Sequence, residues 1–171
     1  MTKKAIIILA LILKVFSGSS NILAKSIFTP DSIYNSNDIK NLALALTAIS
    51  FKAQAEAIDK IQELDIKNLA ITSTAKGFKT QREAIEQIKN SDIKNLAIAI
   101  TAINFKTQKQ AIDEIQDLDI KNLALAKSAI GFNAQRAAIE QIKNSDIKNL
   151  AIAITAVNFK TQGQAIDAIG K

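Results

Sequence analysis

The chemistry open to this chain rests on sixteen Asp and Glu and twenty-two Lys and Arg side chains, because its 171 residues include no Cys and no His. Without a thiol or an imidazole there is no thiolate nucleophile, no side-chain base titrating near neutrality, and no zinc site built from nitrogen and sulfur donors. The acids, typified by Asp113, Glu114 and Asp117, recur at the spacing of a hydrated helix face, which matches neither a catalytic carboxylate pair nor a calcium loop. Gly77 and Gly131 stand alone in turns rather than in a phosphate-binding loop. These residue types predict a non-enzymatic protein without metal or cofactor, one that acts by binding.

Two sets of residues are candidates for that binding. Lys40, Lys67, Lys94, Lys121 and Lys148 recur every 27 residues, and on stacked helices they form a ladder of about 10 Å per step. An anionic glycan or lipid headgroups would match it; the plainer reading makes these lysines the polar edge of an apolar helix. Leu46, Ile100 and Ile154 occupy a position held by Ser73 and Lys127 in the intervening copies. If exposed, they make an intermittent apolar stripe for a partner helix or for self-association; if buried, they record unequal packing. Asn41, Asn68, Asn95, Asn122 and Asn149 run parallel to the lysines as expected caps of the helix start.

The elements that hold these residues come from a tandem repeat. Asp-Ile-Lys-Asn-Leu-Ala starts at Asp38, Asp65, Asp92, Asp119 and Asp146, and a fixed period in this range signals stacked repeats. One continuous coiled coil is excluded, because 27 residues is a half-integral number of helical turns and would rotate alternate copies to opposite faces. The chain must therefore turn within each copy. The thirteenth position offers the turn, with Ser50, Gly77, Asn104, Gly131 and Asn158 suited to a left-handed helix end. Phe51, Phe78, Phe105, Phe132 and Phe159 follow as the expected apolar contact of that cap. Thr80 to Glu83, Thr107 to Gln110 and Thr161 to Gln164 then read as capping boxes opening a second helix, and the five repeat Asp residues read as N-caps of the first.

Each copy thus predicts two short antiparallel helices that depend on their neighbours for stability. The Leu-Ala pair, the Gly or Asn turn and the following Ala-Ile resemble the core of tetratricopeptide-type helical hairpins over residues 38–171. That resemblance implies an all-α solenoid, right- or left-handed, although the copy is seven residues shorter than theirs. Ile93-Lys-Asn-Leu96-Ala-Ile98-Ala-Ile-Thr101 also resembles a leucine-rich repeat, which would place a strand there and make the fold an α/β solenoid. Lys76 at a position that pattern needs apolar, and the abundance of Ala, favour the helix. The expected copies are 38–64, 65–91, 92–118, 119–145 and 146–171. The chain ends without a polar cap, so an exposed apolar face and end-to-end association are expected.

Residues 1–24 have the layout of a secretory signal peptide: Lys3 and Lys4, the apolar run Ala5 to Leu13, then Ser17-Gly18-Ser19-Ser20. Lys14 breaks the run well short of the roughly 20 residues a spanning helix needs. Cleavage fits after Ser19 or after Ala24; an uncleaved N-terminal membrane anchor is the alternative. Residues 25–37 form a capping segment, with a helix start at Thr29-Pro30-Asp31. The formal charge of +6 falls in good part on the leader, so nucleic acid is not an expected partner. The reading is a secreted or periplasmic bacterial scaffold that holds a protein partner or associates with itself. A surface protein binding anionic glycan or lipid through the lysine ladder is the alternative.

Overall fold

The apolar run at the start of each copy and the mixed run after its turn form separate helices in the computed structural model, which describes residues 34–171. The leader, both cleavage positions and the Thr29-Pro30 helix start lie outside those residues. In chain order the helices are α1 (Ser36–Thr47), α2 (Phe51–Asp59), α3 (Leu64–Thr74), α4 (Phe78–Gln87), α5 (Ser91–Thr101), α6 (Phe105–Glu114), α7 (Leu118–Ser128), α8 (Phe132–Gln141), α9 (Ser145–Thr155) and α10 (Phe159–Ala168). No strand occurs among the described residues, so the leucine-rich reading is overturned. Alternating Ile and Ala satisfy both a strand face and the nearly all-round apolar surface of a buried helix, and here the helix wins.

Odd-numbered helices are inner and even-numbered helices outer. Each pair packs as an antiparallel hairpin, and each inner helix also packs on the inner helices before and after it. The contact surface is made of small residues: Ala97 and Ala99 and their equivalents Ala43, Ala45, Ala70, Ala124, Ala126, Ala151 and Ala153 are all 0% exposed. Small side chains let helix axes approach closely. Ile93 and Leu96 fill the remaining inner faces, and Ala111 and Ile115 close the hairpin from the outer helix. Gln54, Gln81, Gln108 and Gln162 tie outer to inner helices by donating to Ala45, Thr72, Ala99 and Ala153 carbonyls at 3.2–3.5 Å.

The array closes on itself. Helix α9 packs on α1 as it packs on α7, and α10 touches α1 as other outer helices touch the next inner one. A Cβ placed on Gly170 would lie 3.3 Å from the Ser36 Cβ, which puts the last copy directly against the first. The fold is an all-α solenoid of five helical hairpins joined into a ring. The terminal apolar face expected from the sequence is therefore covered by the first copy, and the argument for end-to-end association goes with it.

The capping chemistry also differs from expectation. Inner helices are capped by Asn35, Glu63, Asn90, Asp117 and Asn144, not by the repeat Asp or the Asn ladder. The repeat Asp lies inside the helix, and its carboxylate accepts from backbone 24 and 25 residues ahead. Asp92 takes the N–H groups of Gln116 and Asp117, both at 2.9 Å, and Asp117 in turn caps α7. Charge-assisted bonds of this kind contribute about 1.5–3 kcal/mol each. Asp92→Ala is expected to lower unfolding free energy by about 3 kcal/mol, read as a fall in urea midpoint.

One inner position is out of pattern. Thr72 stands where the other copies have Ala, is 0% exposed, and its hydroxyl has no hydrogen-bond partner among the described residues. An unsatisfied buried hydroxyl costs about 1–3 kcal/mol. Thr72→Val, which replaces that hydroxyl by a methyl, is expected to raise stability by about 1 kcal/mol in the same urea titration.

Candidate binding surface

All inner helices run the same way around the ring, so the five turns inside the hairpins share one end. The thirteenth-position residues do not adopt the left-handed conformation expected of them: φ runs from −111° to −135° and ψ is extended. They are N-caps of the outer helices. Asn104 and Asn158 each accept from the Thr N–H three residues on at 2.8 Å, and Ser50 accepts from Ala53 at 3.2 Å. The outer helix thus begins three residues earlier than the Thr capping boxes implied, and Phe is its first residue.

That shift changes what the phenylalanines do. Phe51, Phe78, Phe105, Phe132 and Phe159 are 66–74% exposed instead of forming C-cap contacts. Their neighbours Ile49, Ile103, Ile130 and Val157 lie between the two helices of a hairpin, belong to neither buried face, and are 85–99% exposed. Nine large apolar side chains therefore crowd one end of the ring. Exposed large apolar side chains gathered at one end of a fold mark an interaction surface.

Charge is segregated in the same sense. The turn-proximal half of each hairpin (42–55, 69–82, 96–109, 123–136 and 150–163) contains nine Lys and Arg and no Asp or Glu. All nine are exposed. Lys79, Lys109 and Arg136 pair along their helices with Glu83, Asp113 and Glu140, and the Lys109 partnership holds the Asp113 carboxyl below its ordinary pKa. Lys52, Lys76, Arg82, Lys106, Lys127 and Lys160 make no ion pair among the described residues, though Lys76 stacks 4.0 Å over the Phe51 ring and Lys127 reaches the Ile154 carbonyl at 3.5 Å. The other half carries every acid of residues 34–171.

The residues proposed from the sequence are not among these exposed side chains. Lys40, Lys67, Lys94, Lys121 and Lys148 are half-buried near the opposite end. Lys94 donates to the Glu86 carbonyl at 3.5 Å, and Lys121 to the Asp113 carbonyl at 3.2 Å, so these two serve the C-termini of preceding outer helices. A cation there complements the helix dipole. Leu46, Ile100 and Ile154 are half-buried and packed on the core, as is the fate of an unequal packing position; Lys127 at the same register is exposed. Of the acids, Asp113 and Glu114 are exposed as expected, whereas Asp117 is a half-buried cap.

A second apolar feature is a groove of about 550 Å³ between α6 and α8, floored by α7 and lined by Phe105, Ile112, Leu125, Ala134, Ala137 and Ala138. Copy four supplies alanines there in place of the Thr107 and Gln110 of copy three. Phe105 belongs to both the groove and the turn end. Among the described residues no cluster of acids could hold a metal ion, and no helix is long and apolar enough to cross a membrane. Comparison with protein-family models, curated proteins and solved structures finds no match to this chain.

Acids gather toward the far end, where Tyr34 precedes α1. Burial first, then the carboxylates of Asp117, Asp92, Glu63 and Asp65, push its phenol well above the ordinary value. A phenol with a raised folded-state pKa contributes stability that is complete below the unfolded value near 10 and is lost as pH climbs beyond it. Chemical-denaturation midpoints from pH 9 to 11 are expected to fall more steeply for the native chain than for Tyr34→Phe; parallel curves would contradict this assignment.

Proposed function

We propose that this chain is an exported, non-enzymatic binding ring that docks on its partner through the turn end. The observation that carries this reading is the exposure of nine large apolar side chains on one end of a ring whose core is otherwise complete. Export rests on the leader, with Lys3 and Lys4 before a nine-residue apolar run and small residues after it. The absence of Cys and His supports binding over catalysis. The likeness to tetratricopeptide-type hairpins adds the expectation of a scaffold for a protein partner. Binding of an anionic glycan through the lysine ladder has less support, because two ladder lysines are engaged with helix ends.

A photo-crosslinking amino acid at Phe105, with Leu118 as control, tests the reading in producing cells. Leu118 is similarly exposed, at 67%, but near the opposite end. Adducts are expected from position 105 and not from 118, on protein whose mass shows the leader removed. Equal labelling, or none from 105, overturns docking through the turn end; an intact N-terminus overturns export.

A further inference from the structure

Resting on that docking reading, we propose that the partner of the turn end is the surface of an anionic phospholipid bilayer, with the exposed Phe and Ile side chains seated at the acyl boundary and the lysines among the headgroups.

Three features point to a bilayer. The first is placement: Ile49, Phe51, Phe78, Ile103, Phe105, Ile130, Phe132, Val157 and Phe159 all belong to the five turns at one end of a closed ring, and together form an exposed apolar annulus there. A bilayer accepts an apolar annulus of this kind in any rotational register. The second is composition, since aromatic and branched apolar residues beside Lys stems are the pattern of interfacial anchors, in which the apolar group inserts and the ammonium snorkels to the headgroups. Lys52, Lys79, Lys106 and Lys160 each directly follow an annulus Phe.

The third is charge. Nine basic residues and no acid surround the annulus, complementing an anionic leaflet. The same charge opposes a second copy as occupant, because two turn ends face to face would set the six cations without an ion pair, Lys52, Lys76, Arg82, Lys106, Lys127 and Lys160, against the same six. No helix among the described residues is long and apolar enough to span, so the contact proposed for the turn end is a seat on the surface.

The chain has no cysteine, which allows single labels on the full-length protein. An environment-sensitive fluorophore is placed through Ile103→Cys, Ile130→Cys or, as control, Leu118→Cys. Each is titrated with vesicles of phosphatidylglycerol and phosphatidylcholine, or of phosphatidylcholine alone, carrying a lipid-borne quencher. Because the leader is common to all three, any contribution from it leaves the differences between label sites intact. Labels at 103 and 130 are expected to blue-shift and be quenched on the anionic vesicles, and the label at 118 is not.

Replacing Lys52, Lys106 and Lys160 together with Gln is expected to weaken anionic-vesicle binding about a hundredfold, and added salt weakens it further. Quenching equal at 118, indifference to phosphatidylglycerol, or indifference to the Lys→Gln changes overturns the lipid assignment. Concentration-dependent shielding of the 103 label without vesicles assigns the face to a second copy. Protein adducts from position 105 with no vesicle binding sink the lipid assignment and leave docking through the turn end standing. Neither adducts nor vesicle binding sinks both.

Discussion

Each copy is held in register by one carboxylate. Asp38, Asp65, Asp92 and Asp119 each grip two consecutive backbone N–H groups 24 and 25 residues ahead, at 2.8–3.0 Å, and Asp146 takes the N–H of Gly170. Those N–H groups lie where an outer helix has ended and the next inner helix has not begun, the segment with fewest backbone partners of its own. In the first four copies the second of them belongs to the residue whose side chain caps the next helix. One copy thereby sets both the path and the starting point of the next. An insertion between Asp and the backbone it holds would break that link, which explains why the 27-residue period runs through five copies without a gap.

A fixed step repeated five times, with alanines allowing close approach, brings the last inner helix back to the first. Closure covers the two apolar faces that an open stack leaves at its ends, which other solenoids must cap with polar terminal repeats. The apolar exposure that remains is therefore largely confined to side chains the stack does not use. Outer helices are capped equally well behind Ser50, Asn104 or Asn158, and they form behind Gly77 and Gly131 with no side-chain cap at all. Nothing in that local geometry calls for Phe at the next position.

The helical hairpin and its period were legible in the sequence because they rest on the phase of apolar residues, which survives any error about caps. Ile93, Leu96, Ala97 and Ala99 fall on the buried side whichever residue begins the helix. Closure was not legible: it depends on the small rotation between copies, set by side-chain volumes and by the Asp-to-backbone clamp between residues 24 and 25 apart. The turn end was misjudged for a specific reason. Ser, Gly and Asn suit a left-handed helix end and an extended N-cap alike, and choosing the first turned the phenylalanines inward. The available signal was the residue before the turn: Ile49, Ile103, Ile130 and Val157 fit the apolar phase of neither flanking helix, and a large apolar residue outside both phases has no core to enter. The lysine ladder and the Leu46, Ile100 and Ile154 stripe share the repeat's periodicity; Lys94 and Lys121 meet helix ends, and the stripe packs on the core.

Identity among recently duplicated copies can record history alone, so the five-fold recurrence of Phe at an exposed position needs a comparison with its surroundings. The residue two before it is Ile, Lys, Ile, Ile and Val; the residue just before is Ser, Gly, Asn, Gly and Asn; the residue just after is Lys in four copies and Asn in one. The copies have had time to diverge at each of these adjoining positions. At the Phe itself, where exposure of 66–74% makes almost any polar residue compatible with the fold, none has changed. Ala three residues before the Phe and Gln three residues after it are also unchanged, but both are half-buried; within three residues of the turn the Phe is the exposed position that never varies, and a partner at the turn end is the physical constraint that accounts for it.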